Sequence, residues 1–323
     1  MTVAITLLLG AVIVAVAAPR LLLAMADRAV DPVVVIVGWV LAVAGVLGTA
    51  IAGLIVMAVP GRFADAGLAH LVRRPWWAAV HNAPDLLVYH LAGWAAYTLL
   101  AAAVARLLWI GVREGLRRRS RVRDQLAVLR MVGATVPGPD RGPSTLWLRS
   151  DRPVAFSVGG RPGTVVLTDG LRRQLPPSEL EAVLAHERAH LRGRHHLLVA
   201  TADALARAFP FVRLFGQAPV ALREQVELVA DLSAVRTCGA DAVRRALMIV
   251  TGAGTPKSAL AMARDAVDVR LRYLAGVAEP PSRLGRIATC GALGGALAAT
   301  PLLTASGLLA ALSVLATAAT ALH

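Results

Sequence analysis

The sequence predicts a mainly α-helical membrane protein that carries one inserted α+β domain. Three observations lead to this fold class. Hydrophobic residues make up 57% of the 323 residues and charged residues only 17%, whereas soluble domains average about 45–50% apolar and about 25% charged residues. Four apolar stretches are long enough to cross a bilayer, for which a helix needs about 20 residues. Prolines, glycines and charges return in the long segment between the third and the fourth stretch.

The first third of the chain is predicted to hold three transmembrane helices, at about residues 3–24, 33–59 and 86–110. The first contains Ala15-Val16-Ala17, which resembles a signal-peptidase site. No arginine or lysine precedes it, however, and a signal peptide requires a positive first region. We therefore expect a retained span. The third ends near Trp109, a position typical of an interfacial aromatic residue.

The last apolar stretch, Ile287–Leu322, is too long for one upright helix, because a helix rises about 1.5 Å per residue. Pro301 and Ser306-Gly307 interrupt it. The sequence predicts either one kinked span or a tight hairpin and leaves both open. The predicted division of the chain is thus 1–112 for the first three spans, 113–286 for the inserted domain and 287–323 for the last apolar segment.

The arginines indicate the orientation in the membrane. The net charge is +14, and only one of the basic residues, Lys257, is a lysine. Six arginines lie between Arg113 and Arg123, directly after the third span, which predicts that this flank is cytoplasmic and the N-terminus outside. Such a run attracts anionic lipid. No nucleic-acid-binding signature accompanies it, so we expect contact with the lipid bilayer and not with nucleic acid.

The inserted domain alternates turns with amphipathic segments. Two β-branched runs flank a Gly/Pro-rich turn, which predicts a β-hairpin. Ser178 and Glu181 form a capping box that starts a long helix, and Phe209-Pro210 ends it. The predicted elements are strands at Pro153–Val158 and Thr164–Thr168, and helices from Ser178 to about Ala208 and from about Pro219 to about Thr237.

The first of these helices carries the sequence His186-Glu187-Arg188-Ala189-His190. Histidines four residues apart share one face of a helix, so both imidazoles can reach one tetrahedral metal ion. Glu187 is placed to act as a general base. A bound metal would lower the pKa of a water molecule from about 15.7 toward 7. This pattern predicts a hydrolytic metal centre.

A catalytic metal of this kind needs a third protein ligand. The chain has only two cysteines, so His, Asp or Glu must supply it. Glu227 and Asp231 lie four residues apart on the second helix. We predict Glu227 as the ligand and Asp231 as the hydrogen-bond partner of a ligand histidine. Arg223, one turn earlier, is a candidate to orient either carboxylate.

A second ligand set also fits the spacing. Residues His186 to His196 match H-E-x-x-H-x-x-G-x-x-H, with Gly193 at the bend and His196 as the alternative third ligand. Glu227 would then be structural. No methionine turn is evident downstream, so we favour Glu227. His195 and His196 are then expected to form a pair of cations at a helix end, favoured by the helix dipole.

The residues from Val154 to Ala234 resemble the membrane metallopeptidases of the BlaR/MecR family, and are similar to the related HtpX and Ste-type CAAX peptidases. The resemblance lies in the hairpin, in the His186–His190 motif with its flanks, and in Glu227-Leu228-Val229-Ala230-Asp231, which matches E-x-x-A-D. Elsewhere the resemblance is only architectural.

This resemblance implies a gluzincin-like zinc peptidase minidomain. One Zn²⁺ per chain would be held by His186, His190 and Glu227, with Glu187 as the general base. The hairpin would offer an edge strand to the substrate backbone. The implied substrate is a protein in regulated proteolysis, such as a winged-helix repressor of the BlaI type. The sensor members carry a penicillin-binding domain after their last span, and this chain ends at His323, so direct β-lactam sensing is not expected.

Two other functions stay open at this stage. One is an HtpX/Ste-like peptidase in membrane quality control or prenyl-protein processing. The other is a non-catalytic membrane scaffold with a structural zinc site. An intact Glu187 argues against the scaffold, because a structural site needs no base. The sequence also leaves open whether the chain forms a homo-oligomer.

Overall fold

A computed structural model describes residues 2–58, 86–137, 142–160, 163–252, 260–276 and 283–321. Within them the chain is mostly helical with one small mixed sheet, so the predicted fold class is confirmed. The helices are α1 (Thr2–Asp27), α2 (Pro32–Ala58), α3 (Leu86–Val132), α4 (Asp169–Gln174), α5 (Pro177–Arg192), α6 (His195–Ala208), α7 (Arg213–Cys238), α8 (Ala240–Gly252), α9 (Leu260–Gly276) and α10 (Arg283–Ala321). The strands are β1 (Gly133–Val136), β2 (Ser144–Leu148), β3 (Ala155–Val158) and β4 (Thr164–Thr168).

In the described part of the chain, three helices are long and apolar enough to cross a membrane: α1, α2 and α3 from Leu91 onward. They coincide with the three predicted N-terminal spans; residue 59, the last of the second span, lies outside the described residues. α3 continues far beyond the predicted end at residue 110. Its 47 residues correspond to about 70 Å, about twice the 30 Å hydrocarbon core. The arginine run therefore continues the third span as helix, because arginine and leucine are good helix formers.

The last apolar segment forms one uninterrupted helix, α10. Of the two alternatives, the hairpin is therefore wrong, because the helix continues through Pro301 and Ser306-Gly307, where a hairpin would need its turn. α10 is not among the three candidate spans of the described residues, so a fourth crossing of the membrane stays a prediction.

α1, α2 and α10 pack together. Gly38 of α2 permits their close approach, since a Cβ atom there would come within 2.6 Å of a Leu22 side-chain carbon and 2.8 Å of one of Leu293. Small residues at such positions bring membrane helices together. At the end of this bundle Nε of Arg286 donates to Asp31 at 2.6 Å. The start of α10 is thereby tied to the turn between α1 and α2.

The sheet has the order β1-β2-β4-β3. β3 and β4 pair antiparallel, with Ser157 opposite Val165, which confirms the predicted hairpin. β2 and β4 pair parallel. Every residue of β4 is buried, whereas β3 lies at one edge of the sheet. This edge strand packs against α5.

The single helix predicted from Ser178 to about Ala208 is two helices in the structure. α5 ends at Arg192, and Arg194 adopts a left-handed conformation with φ of 48° before α6 begins. A non-glycine residue in this region is uncommon, and no local sequence rule predicted it. α7 begins at Arg213, six residues before the predicted start. Pro219 lies inside it, where the buried Leu214 and Phe215 anchor the first turns in the apolar core.

Candidate active site

α5 and α7 pack side by side and bring the predicted ligands together. Nε2 of His186 lies 3.1 Å from Nε2 of His190. One carboxylate oxygen of Glu227 is 3.4 Å from Nε2 of His186, and the other is 3.4 Å from Nε2 of His190. Among the described residues, this trio is the group of histidine, cysteine and acidic side chains whose ligand atoms converge for a metal ion.

The donor set fits zinc. Metal–donor distances of about 2.0–2.2 Å in a tetrahedral site place neighbouring donors about 3.3 Å apart. The three donor–donor distances of 3.1–3.4 Å match this geometry. Two imidazole nitrogens and one carboxylate also form a common ligand set of catalytic zinc, which leaves a fourth position for water or substrate.

Asp231 lies behind His186. Its buried carboxylate is 2.9 Å from Nδ1 of His186, on the opposite side of the ring from the cluster. Arg270 of α9 holds the same carboxylate with two hydrogen bonds, of 2.7 Å from Nε and 2.6 Å from Nη2. The guanidinium also lies 3.4 Å from Glu227. Both acidic groups of the E-x-x-A-D segment are therefore oriented by one arginine.

Arg223 does not have the position that its spacing suggested. Its guanidinium donates to both oxygens of Asp203 on α6, at 2.7 Å each. The prediction that Arg223 orients Glu227 or Asp231 is therefore wrong in the structure, because the long side chain reaches the neighbouring helix instead. The arginine at the cluster is Arg270, which the sequence reasoning missed. It follows Asp231 by 39 residues, in a segment without a motif.

The two neighbouring histidines also differ from expectation. Nδ1 of His195 lies 3.0 Å from Nδ1 of His190, so His195 supports the cluster from behind. The ring of His196 lies against Gly159, where a Cβ atom would come within 2.5 Å of its Nε2. His196 is not part of the converging trio. Both start α6, whose N-terminus disfavours a cation, and burial lowers both pKa values. The expected cation pair is thus wrong.

Glu187 lies next to the edge strand. Its carboxylate accepts a hydrogen bond from Ser157 of β3. Burial raises the pKa of Glu187, and the charge of His186 and the Ser157 hydrogen bond only partly offset this. A carboxyl group with a raised pKa is better suited to exchange protons near neutral pH. Ser157 is a second residue that sequence reasoning did not identify, because a lone serine in a strand carries no spacing signal.

The other pKa values follow from burial and from the neighbouring charges. Burial disfavours the charged form of His186, but hydrogen bonds to Asp231 and Glu227 outweigh it and raise the pKa to about 9. Burial lowers the pKa of His190 to about 4. Burial would raise the pKa of both acidic groups, yet hydrogen bonds from His186 to Glu227 and from Arg270 to Asp231 lower it. Both carboxylates are therefore held ionised.

A cavity of about 710 Å³ opens beside the cluster. This volume lies within the range of about 300–1,000 Å³ typical of ligand pockets. Ser157, His190 and Glu227 lie in its wall. The other lining residues come from α3, α6, α7 and α9: Arg118, His195, His196, Val199, Ala200, Asp203, Arg223, Glu224, Val226, Leu228, Val269 and Arg270. Two of the three candidate ligands, His190 and Glu227, thus face a space in which a substrate can lie.

Comparison with known proteins points to the same chemistry. Residues 116–263 match the family model described as Peptidase family M48. Three relatives with closely similar names align with part of the chain. A Protease HtpX homolog of Acaryochloris marina is 47% identical over 60 residues, 18% of this chain and 20% of the relative. Another, of Pelotomaculum thermopropionicum, is 45% identical over 65 residues, 20% of this chain and 23% of the relative.

The third relative, Protease HtpX homolog 2 of Methanosarcina mazei, is 39% identical over 74 residues, 22% of this chain and 25% of the relative. The aligned part of the chain therefore spans a fifth to a quarter of the length of these relatives. No solved structure matches the chain at a significant level. Residues 116–263 thus match the model of Peptidase family M48, and the chain also has helices that are long and apolar enough to cross a membrane.

Proposed function

We propose that this protein is a membrane-bound, zinc-dependent endopeptidase that cleaves a protein substrate on the cytoplasmic side. The observation that carries the proposal is the convergence of His186, His190 and Glu227 on one point, with Glu187 on the same helix beside them. The match to Peptidase family M48, whose peptidases are zinc-dependent, supports it.

His186, His190 and Glu227 would hold the zinc ion. When bound, zinc supplies a Lewis acid that polarises a peptide carbonyl and acidifies water. The protein's contribution begins with the orientation of the ligands. Asp231 accepts a hydrogen bond from Nδ1–H of His186, which directs the Nε2 lone pair toward the cluster. His195 does the same for His190 through the contact between their Nδ1 atoms.

Glu187 is the proposed general base. It accepts a proton from the attacking water and passes it to the leaving amine. Its raised pKa brings it closer to the pH at which it must both accept and release that proton. Ser157 donates to this carboxylate and is a positioning residue.

The edge strand β3 is the proposed binding site for the substrate backbone. β3 pairs with β4 on one side, and Ser157 lies in the cavity wall. An extended peptide can add to such an edge as a further strand. The peptide would then run past Glu187 and the metal ligands.

Two substrate classes follow from different arguments. The BlaR/MecR resemblance favours regulated proteolysis, with a winged-helix repressor of the BlaI type as the substrate. The names of the relatives, Protease HtpX homolog, favour an HtpX-like role in membrane quality control. Both substrates are proteins, so the chemistry proposed above is common to them.

The decisive variant is Glu187→Gln. It removes the base but leaves all three ligands, so we expect one zinc per chain and a loss of cleavage of at least about 100-fold, the lower end for general-base catalysis. Glu181→Gln is the matched control, since Glu181 lies on the same helix and hydrogen-bonds Arg188 on the surface. It should keep both zinc and activity.

The assay follows a co-expressed repressor and, separately, a misassembled membrane protein, with zinc measured in the purified protein. Cleavage of one and not the other identifies the substrate class. If both substrates disappear as fast with Glu187→Gln as with the unaltered chain, the peptidase proposal is wrong. If zinc is bound and the unaltered chain cleaves neither, the scaffold is the better description.

A further inference from the structure

The turn between α6 and α7 exposes a large apolar side chain. Phe211 is 82% exposed, and Val220 on the following helix is 60% exposed. Its aromatic neighbours have different surroundings: the ring of Phe209 contacts both Phe211 and Phe215, and Phe215 is buried. Nothing in the peptidase chemistry uses Phe211. The exposure of Phe211 therefore needs another explanation.

α3 shows where this turn lies relative to the membrane. Nε of Arg106 donates to the carbonyl oxygen of Ala208 at 2.6 Å, and Arg118 donates to that of His196 at 2.6 Å. The two hydrogen bonds lie twelve residues apart on α3 and twelve residues apart on α6. The residue numbers rise along α3 while they fall along α6, so the two helices run antiparallel side by side. Arg106 lies four residues before Ile110, the predicted end of the span, and thus about 6 Å inside the apolar layer.

The partners of Arg106 are those expected for a charge at this depth. Intramembrane arginines pair with backbone carbonyls or with acidic groups. Arg106 donates to Ala208 and, at 3.3 Å, to the carbonyl of Arg207. These two carbonyls end α6, where the helix dipole favours a cation. The C-terminus of α6 is thereby held at the depth of Arg106.

α1 gives an independent measure of depth. Glu224 of α7 lies within electrostatic reach of Asp27, the last residue of α1. Phe215 precedes Glu224 by nine residues, or about 14 Å of helix. Phe215 belongs to the same apolar core as Leu22 and Trp39, which lie inside the first two spans. The beginning of α7 therefore also lies below the ends of the spans.

Main-chain groups on both sides of Phe211 are paired within the protein. Polar main-chain groups within a bilayer must be satisfied by the protein itself. Phe209 N–H donates to the carbonyl of Leu205 at 2.9 Å, and Val212 N–H donates to that of Phe209 at 3.1 Å. Pro210 has no N–H to satisfy. The carbonyls that end α6 are paired with Arg106, as described above.

We propose that the α6–α7 hairpin is inserted into the cytoplasmic leaflet of the bilayer, with Phe211 in contact with lipid. The depth of about 6 Å read from Arg106 lies within the about 5–10 Å by which interfacial apolar faces enter the boundary between headgroups and acyl chains. The about 14 Å between Phe215 and Glu224 stays within one leaflet, which is half of the about 30 Å hydrocarbon core. α6 carries His195 and α7 carries Glu227, so the hairpin fixes the height of the metal cluster above the membrane. This proposal goes beyond the proposed function and does not depend on cleavage.

The proposal is tested by electron paramagnetic resonance, which measures how often a spin label collides with a water-soluble nickel chelate and with oxygen, which dissolves in lipid. The full chain, with Cys238→Ala and Cys290→Ala, receives one cysteine for a nitroxide label and is reconstituted in vesicles of phosphatidylcholine and phosphatidylglycerol. The test variant is Phe211→Cys. The lipid control is Leu99→Cys, which is 62% exposed in the third span, and the water control is Met131→Cys, which is 83% exposed at the far end of α3.

We expect the label at 211 to behave like the label at 99. Collision with a water-soluble nickel chelate should be several-fold lower than at 131, and collision with oxygen higher. Val220→Cys provides a second position on the same hairpin, in case labelling at 211 disturbs the turn. If the labels at 211 and 220 are both as accessible to the chelate as the label at 131, the hairpin lies in water and the proposal is overturned.

Discussion

The two halves of α7 are stabilised by different interactions. Its first half, from Arg213 to Leu222, contributes Leu214, Phe215 and Ala218 to an apolar core shared with α1 and α2. Its second half, from Gln225 to Cys238, contributes Glu227 and Asp231 to a network of imidazoles and one guanidinium. One continuous helix therefore joins a packed membrane region to a polar site. Substitutions in the polar half should therefore be sensitive to side-chain chemistry, and substitutions in the apolar half to side-chain volume.

This difference predicts how each half responds to substitution. In the polar half, each carboxylate has defined partners within 3.4 Å, so removal of one leaves buried partners unsatisfied. In the apolar half, packing is non-directional, and lipid offers an equally apolar alternative. Metal binding should thus depend steeply on the second half and weakly on the first. The following three substitutions test this in decreasing order of effect on metal affinity.

Glu227→Ala should have the largest effect. It removes one of three ligands, and we expect zinc affinity to fall by more than the about 10- to 100-fold that loss of a ligand's hydrogen-bond partner costs. Competition with a zinc-binding dye measures the affinity. Glu224→Ala is the matched control: Glu224 lies one turn earlier on the same helix and in the same cavity wall, but outside the cluster. Equal zinc affinities for the two variants would contradict the ligand assignment.

Asp231→Asn should have the next largest effect. The amide can still occupy the space, but it loses the charge that faces His186 and Arg270. Zinc affinity should fall about 10- to 100-fold, as for other hydrogen-bond partners of ligand histidines. The same titration measures it. An affinity within twofold of the unaltered chain would show that Arg270 and Asp231 only stabilise the fold.

The cluster could be predicted from the sequence because its ligands lie at short, regular spacings along two helices. Histidines four apart on one helix, and carboxylates four apart on another, have relative positions that helix geometry fixes. The roles of Arg223 and Arg270 could not be predicted in this way. Both side chains are long, and the partner that each reaches depends on which helix lies next to it. That is a property of the tertiary fold, which no spacing along one helix contains.

The break between α5 and α6 explains the misassigned histidines. The pattern that ends in His196 requires the backbone after Gly193 to turn so that the His196 side chain reaches the metal. Arg194 instead adopts a left-handed conformation, and α6 starts with a new phase. His195 then faces His190, while His196 faces Gly159. The left-handed conformation of Arg194 thus accompanies the placement of His195, and not His196, beside the cluster. Arginine rarely adopts this conformation, so the sequence did not indicate it.

Composition predicted the N-terminal spans well, because about 20 apolar residues with few charges leave little alternative to a membrane helix. The length of α3 was not predicted, whereas α10 matches one of two predicted alternatives. In α3 the helix does not end where the apolar residues end, since arginine-rich sequence outside the bilayer is also favourable for a helix. In α10 the proline and glycine positions left a kinked span and a hairpin open, and the structure has one helix.

Leu214→Ala should have the smallest effect on the metal and separates the two halves of α7. Leu214 is fully buried in the core shared with the spans, so its truncation should destabilise the protein by about 2 kcal/mol, the low end for a buried leucine. Thermal unfolding in vesicles measures this. Leu214 precedes Glu227 by thirteen residues, or about 20 Å of helix, and effects at such distances are independent to within about 0.5 kcal/mol. Zinc affinity per folded molecule should therefore change by no more than about twofold. A loss as large as that of Asp231→Asn would mean that packing against the membrane helices sets the position of Glu227, and the two halves would then act as one unit.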